Sequence, residues 1–179
     1  MREWMLVVVV FAVVAVSVEA GGPTQWNCVY EVGGYKYDLT SANENPARSD
    51  GYYTAFGKDS DAVYYWKMCE GTPDPPVAYQ SNYCDDSTFV CQTEKEVDFS
   101  TGEGPPTAKA YDNSGNGLIL TALGGSIQNC GDGINRTMDM TVLCAPSAKY
   151  NGLTSNVDEN GVCQYAVTLY LEAACGTKQ

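Results

Sequence analysis

The chain has 179 residues, with 22 acidic and 10 basic side chains, a net charge of −12 and no histidine. That balance argues against nucleic acid or an anionic membrane surface as a partner. The missing histidine removes Ser-His-Asp and Cys-His chemistry, and without a CxxC pair it leaves no ordinary zinc site, so no cofactor is expected.

Residues 1–20 place Arg2 ahead of an apolar run (5–16) and end on Val18-Glu19-Ala20. This is the pattern of a secretory signal peptide cleaved after Ala20, with an apolar run shorter than the ~20 residues of a spanning helix. Residues 21–179 then form one domain. All eight cysteines (Cys28, Cys69, Cys84, Cys91, Cys130, Cys144, Cys163 and Cys175) lie beyond the cut. An even count in a chain bound for the secretory route predicts four disulfides and a product in the secretory lumen or outside the cell. No second apolar run has membrane length.

In chain order, residues 26–37 read as a hairpin turning at Gly33-Gly34. A polar loop (41–50) follows, then strands at 52–56 and 62–68 and a proline-rich connection at 70–76. Residues 82–92 bracket a tight turn with Cys84 and Cys91, close enough to clip a hairpin, and 93–99 extend that strand. Residues 101–106 (TGEGPP) and 112–117 (DNSGNG) read as turns, and 118–123 as a short apolar strand leading to Gly124-Gly125. In residues 124–144 (GGSIQNCGDGINRTMDMTVLC), strict alternation puts Arg136, Met138, Met140, Val142 and Cys144 on the inner face of a strand. Asn135 and Thr137 fall on the outer face. A row headed by arginine has a bland explanation, a side chain snorkelling at the strand mouth, and a sharper one, a polar pocket for a ligand. The last strand (162–175) alternates again, with Cys163, Tyr165, Val167, Leu169, Leu171 and Ala173 together. No window has helical periodicity. The fold class is all-β: a flattened barrel or sandwich of two antiparallel sheets with an N-terminal hairpin and four disulfides. No phosphate-binding or dinucleotide loop occurs. Carboxylates are plentiful enough for a two-carboxylate glycosidase, but clusters such as Asp85-Asp86 and Asp158-Glu159 read as solvated surface.

Over residues 28–175 the chain resembles the mannose 6-phosphate receptor homology (MRH) domains, a family of β-barrel lectin modules. The first half carries Cys28 with Tyr37-Asp38-Leu39, then Cys69, then Val90-Cys91-Gln92. The second half carries Leu120 with Gly124-Gly125 ahead of Cys130, Arg136 eight residues before Cys144, Glu159-x-x-x-Cys163-x-Tyr165, and Ala174-Cys175. The resemblance implies a sugar pocket of Gln92, Arg136, Glu159 and Tyr165. Sugar hydroxyls both donate and accept, so donors and acceptors are needed together, and Arg136 and Glu159 would offset each other's charge. It also implies the disulfides Cys28–Cys69, Cys84–Cys91, Cys130–Cys163 and Cys144–Cys175; the second is the natural local pair as well.

Two departures matter. The loop Ile127-Gln128-Asn129 lacks the acid that phosphate-reading members place before their fifth cysteine. The paired tryptophans of glycan-quality-control members are replaced by Thr88-Phe89-Val90. The expectation is therefore a non-catalytic lectin for mannose-bearing N-glycans or glycoproteins, with mannose 6-phosphate the weaker candidate. The alternative is a glycan-presenting subunit with an enzyme partner, and a third reading is a structural module with a dead pocket. Asn135-Arg136-Thr137 is also a glycosylation sequon, with Asn135 facing outward at modest expected occupancy. Without histidine, binding should be flat between about pH 6 and 8, weakening where carboxylates protonate.

Overall fold

The structure is a computed structural model that describes residues 24–72, 84–147 and 152–179. The leader expected at 1–20 and the prolines of the 70–76 connection lie outside the described residues.

Twelve strands and two single 3-10 turns make up the described fold. In chain order the strands are β1 (Val29–Val32), β2 (Tyr35–Asp38), β3 (Tyr53–Phe56), β4 (Val63–Trp66), β5 (Thr88–Glu94) and β6 (Val97–Ala110). Then come β7 (Gly117–Leu123), β8 (Thr137–Cys144), β9 (Leu153–Thr154), β10 (Asp158–Gly161), β11 (Gln164–Leu171) and β12 (Thr177–Lys178). The large sheet runs β10-β11-β8-β7-β6-β5-β4-β3, with β9 on β11. Its two edges meet where the Lys58 N–H donates to the Val157 carbonyl (2.9 Å) and the Val157 N–H to the Phe56 carbonyl (2.8 Å), so the sheet nearly closes into a barrel. Closure satisfies edge groups that would otherwise invite pairing with another chain. A small sheet, β1-β2-β12, carries the N-terminal hairpin.

Alternation makes the interior. Met138, Met140 and Val142 of β8 meet Leu118 and Leu120 of β7 and Val167, Leu169 and Leu171 of β11 in one buried cluster with Trp66, Tyr53 and Phe89. The disulfides are Cys28–Cys69, Cys84–Cys91, Cys130–Cys163 and Cys144–Cys175, the four pairs the resemblance implies. Spans of 31 to 41 residues for three of them correspond to roughly 3–4 kcal/mol each by loop-closure entropy.

The chain departs from the sequence reading in several places. β8 and β11 pair in parallel, Tyr165 beside Met138, where two antiparallel sheets were expected. Residues 93–99 do not extend one strand: β5 stops at Glu94 and returns through Lys95-Glu96 into β6. Residues 101–106 are not a turn but the middle of β6, which bulges between Glu103 and Thr107. A Cβ on Gly102 would meet the Ala122 carbonyl oxygen at 2.8 Å, and one on Gly104 the Trp26 ring at 2.2 Å. These glycines serve close packing inside a strand. Cys84 stands in the loop before β5, so its disulfide pins that loop rather than clipping a hairpin. The last long strand ends at Leu171, and Ala173 lies in a 3-10 turn (Glu172–Ala174), after which β12 pairs with β2.

Candidate functional site

Two rows of side chains face each other at one end of the barrel. The first crosses β4, β5 and β6, where Tyr64 is opposite Gln92 and Gln92 opposite Phe99. The second crosses β10, β11 and β8: Glu159 is opposite Tyr165, Tyr165 beside Met138, and Arg136 precedes Met138 by two residues on the same buried face. Directly opposed residues share a face of the sheet, so each row is built by register. Two contacts join the rows. The Arg136 guanidinium carbon lies 4.2 Å from the Phe99 ring centroid, and the Tyr64 and Tyr165 rings are 5.7 Å apart.

Between the rows is a cleft of about 480 Å³ whose walls include Gln92, Arg136, Glu159 and Tyr165. The structure thus brings together all four side chains singled out in the sequence. Gln92, Arg136 and Tyr165 are buried, at 4, 4 and 6% exposure, whereas Glu159 is exposed at the lip.

Arg136 is held by protein. Its Nη1 donates to the Ser126 carbonyl (3.1 Å), to Ser126 Oγ (3.2 Å) and to the Gln128 carbonyl. The backbone is clamped in parallel: Gly125 N–H donates to the Arg136 carbonyl (3.0 Å), and Arg136 N–H to the Ser126 carbonyl (3.3 Å). Gly125 lies so close to β6 that an added Cβ would stand 2.5 Å from the Ser100 carbonyl oxygen, which explains one half of the Gly124-Gly125 pair. The Cys130–Cys163 disulfide ties this loop to the β10–β11 hairpin.

The expected direct offset between Arg136 and Glu159 is not formed: no ion pair joins them among the described residues. Carbonyl oxygens and the Phe99 face meet the arginine instead, a cation–π contact. Glu159 Oε1 accepts the Cys163 N–H (2.9 Å), a bond across the turn between β10 and β11. The solvated-surface reading of Asp158-Glu159 therefore describes the exposure of Glu159 but misses its place in β10. Gln92 Nε2 donates to Glu94 Oε2 (3.2 Å), and Glu94 also pairs with Lys95 (3.3 Å).

Gln92 Oε1 and Arg136 Nε are buried without a hydrogen-bond partner among the described residues, an acceptor in one row and a donor in the other. Such unmatched groups are costly and uncommon. Burial pushes the Tyr165 phenol above its ordinary range, with the Arg136 charge pulling the other way, and burial raises Tyr64 as well. Both therefore remain neutral hydroxyls at physiological pH. Backbone conformation marks the same place. Among the described residues, the non-glycine positions with positive φ are Lys95 (49°), Glu96 (65°), Asn129 (64°) and Cys163 (56°). Three of them line the cleft and the fourth adjoins it. Strain of this kind gathers at functional sites.

Tyr64, Glu94, Lys95 and Phe99 belong to the site and were not singled out in the sequence. The cross-strand partners of Gln92 could have been read only with the β4–β5–β6 register in hand. Among the described residues, no group of three or more Cys, Asp or Glu side chains is placed to hold a metal ion.

No family model matches the sequence, and no curated protein matches it. Solved structures do. Domain 11 of the echidna mannose 6-phosphate/IGF2R receptor, determined by NMR, superposes with a TM-score of 0.60 at 14% identity, covering 86% of this chain and 97% of that one. Chicken IGF2R domain 11 superposes with a TM-score of 0.56 at 15% identity, covering 79% and 85%. This is the MRH fold. The two receptor domains share with this chain the barrel architecture that the sequence resemblance implied. In the MRH fold of this chain, the cleft sits at the end of the barrel where the β5–β6 turn and the β10–β11 hairpin come together.

Proposed function

We propose that this chain is a non-catalytic lectin that binds mannose-type glycans through Gln92, Arg136, Glu159 and Tyr165. The observation that carries the reading is the convergence of two cross-strand rows on one cleft holding all four side chains. Three neutral or cationic donors (the Gln92 amide, Arg136 and the Tyr165 hydroxyl) stand beside acceptors on Gln92, Glu159 and Tyr165, which is the mixture that a ring of hydroxyls demands. Tyr64 and Tyr165 add apolar ring surface for the C–H face of a sugar. The cleft carboxylates Glu94 and Glu159 are each engaged by neighbours, which suits binding rather than acid–base chemistry.

The natural ligands are then mannose-bearing N-glycans or glycoproteins. Residues 1–20 serve as the signal peptide, the disulfide-rich module works in the secretory lumen or outside the cell, and Asn135 is an acceptor for N-glycosylation. Asn135 is exposed, with its Nδ2 on the Gly125 carbonyl (2.9 Å), while Arg136 points inward. Among the described residues no helix is long and apolar enough to cross a membrane.

Calorimetry with mannose-terminated glycans on wild type and Arg136→Lys tests the site. The lysine keeps the charge but loses the planar fork and the stacking on Phe99. Binding by wild type with at least about tenfold loss in the variant is expected. Equal affinity in the two would remove Arg136 from the site, and no binding by folded wild type would end the lectin reading.

A further inference from the structure

The sugar cleft does not end at Glu159. A second cleft of about 700 Å³ opens beside it and shares Ser60, Tyr64 and Glu159 with the first. One lip is the β3–β4 turn, Gly57 to Ser60; the other is the β10–β11 hairpin from Val157 to Val162. Both lips are fixed by backbone bonds. The Gly57 N–H donates to the Ala62 carbonyl (2.8 Å), closing the turn, and the Lys58 N–H to the Val157 carbonyl (2.9 Å), seaming turn to hairpin. The Ser60 hydroxyl folds back over Gly57 within this turn, 2.3 Å from where a Cβ would stand.

Resting on the lectin reading above, we propose that this second cleft is a subsite for an adjoining, uncharged sugar unit of the same glycan. Its wall offers neutral hydrogen-bonding groups on Ser60 and Asn160, and Val162, 60% exposed, supplies an apolar contact. Its charge selects against anions. Asp59, Asp158 and Glu159 line it with one cation, Lys58, which pairs with Asp158 at 2.8 Å. A phosphate or carboxylate on the second unit would meet excess negative charge, and like-charge juxtaposition rejects a ligand. Because Tyr64 and Glu159 belong to both clefts, a glycan can pass from one to the other without leaving the surface.

The test titrates wild type, Asn160→Trp and Asp59→Trp with methyl α-mannoside, a neutral mannotrioside and the same trioside carrying one phosphate on the unit next to its terminal mannose. The two substitutions obstruct opposite lips at exposed positions outside the Gln92/Arg136/Glu159/Tyr165 set, and circular dichroism checks each fold. Wild type should prefer the neutral trioside over the monosaccharide by about tenfold, the effect of one or two added hydrogen bonds. Either tryptophan should erase that preference while leaving methyl α-mannoside within about twofold. The phosphorylated trioside should bind more weakly than the neutral one. Equal affinity of wild type for trioside and monosaccharide, or a preference that survives both tryptophans, overturns the subsite and leaves the first cleft standing. Tighter binding of the phosphorylated trioside overturns its charge selection. No binding of any mannoside overturns the lectin reading, and the subsite with it.

Discussion

Arg136 is anchored by the protein independently of any sugar, with Nη1 on two loop carbonyls and its guanidinium carbon over the Phe99 ring. A group fixed in this way loses little side-chain freedom on binding, so its remaining donors act at low entropic cost. Tyr165 is the milder partner. Tyr165→Phe keeps the ring against Tyr64 and removes one hydroxyl, so binding of a mannose glycan should weaken by about 1–3 kcal/mol with stability nearly unchanged. Calorimetry and a melting curve on the same sample check both halves. Gly125→Ala is expected to lower stability as well. Its methyl would press on backbone atoms of Ser100, Thr101 and Gly102, none of which can rotate away. Overpacking there should cost about 1–3 kcal/mol in urea unfolding and shift the Ser126 carbonyl that holds Arg136. Wild-type stability in Gly125→Ala would mean that the loop does not ride on β6 as described.

At the scale of elements, the β5–β6 turn is the informative one. Lys95 and Glu96 both adopt left-handed backbone in a two-residue hairpin, a geometry that Asn-Gly fills far more readily. The double substitution Lys95→Asn, Glu96→Gly should raise unfolding stability by about 1 kcal/mol, after allowing for glycine's extra chain entropy. A denaturant midpoint that stays level or falls would show that the turn is not strained. The same turn explains why residues 93–99 read as one strand, since nothing in Glu-Lys-Glu announces a reversal. Glycine and proline misled in the opposite direction at 101–106, where TGEGPP has the composition of a turn but Gly102 and Gly104 are demanded by Ala122 and Trp26 from elsewhere in the chain. Strong period-two segments were legible. Arg136 to Val142 and Tyr165 to Leu171 point inward as alternation requires, because burial on one face dictates phase. The rows that make the cleft were not legible, since Gln92 gains Tyr64 and Phe99 only through register between strands distant in sequence. Glu159 sits in a four-residue strand with a bulge, too short for any pattern to develop.

For the whole molecule, the buried tyrosines set the alkaline limit. Burial raises the phenols of Tyr30, Tyr53, Tyr64 and Tyr165 above their ordinary value of 10.0. A group whose folded value is raised contributes its full stability below the unfolded value, and that stability is lost as pH climbs toward the folded one. Unfolding should therefore begin above about pH 10 and proceed cooperatively, with tyrosinate absorbance appearing together with loss of the near-ultraviolet dichroism. Smooth ionisation of those tyrosines with the fold intact would contradict their burial. The small sheet has a different consequence. β12 lies on β2, and that hairpin packs where Gly33 meets Ala110 and Tyr35 meets Gly115, at the far end of β6 from Val97 and the cleft. β6 is 14 residues long, which puts roughly 30–45 Å between the two ends at the rise of an extended chain. A molecule held to a surface by its small sheet would turn its cleft outward, and neighbours on that surface would present their clefts on the same side. On the lectin reading proposed above, a branched glycan would then bridge two copies, so that crowding and spacing, rather than the strength of either cleft alone, would govern how firmly it is held.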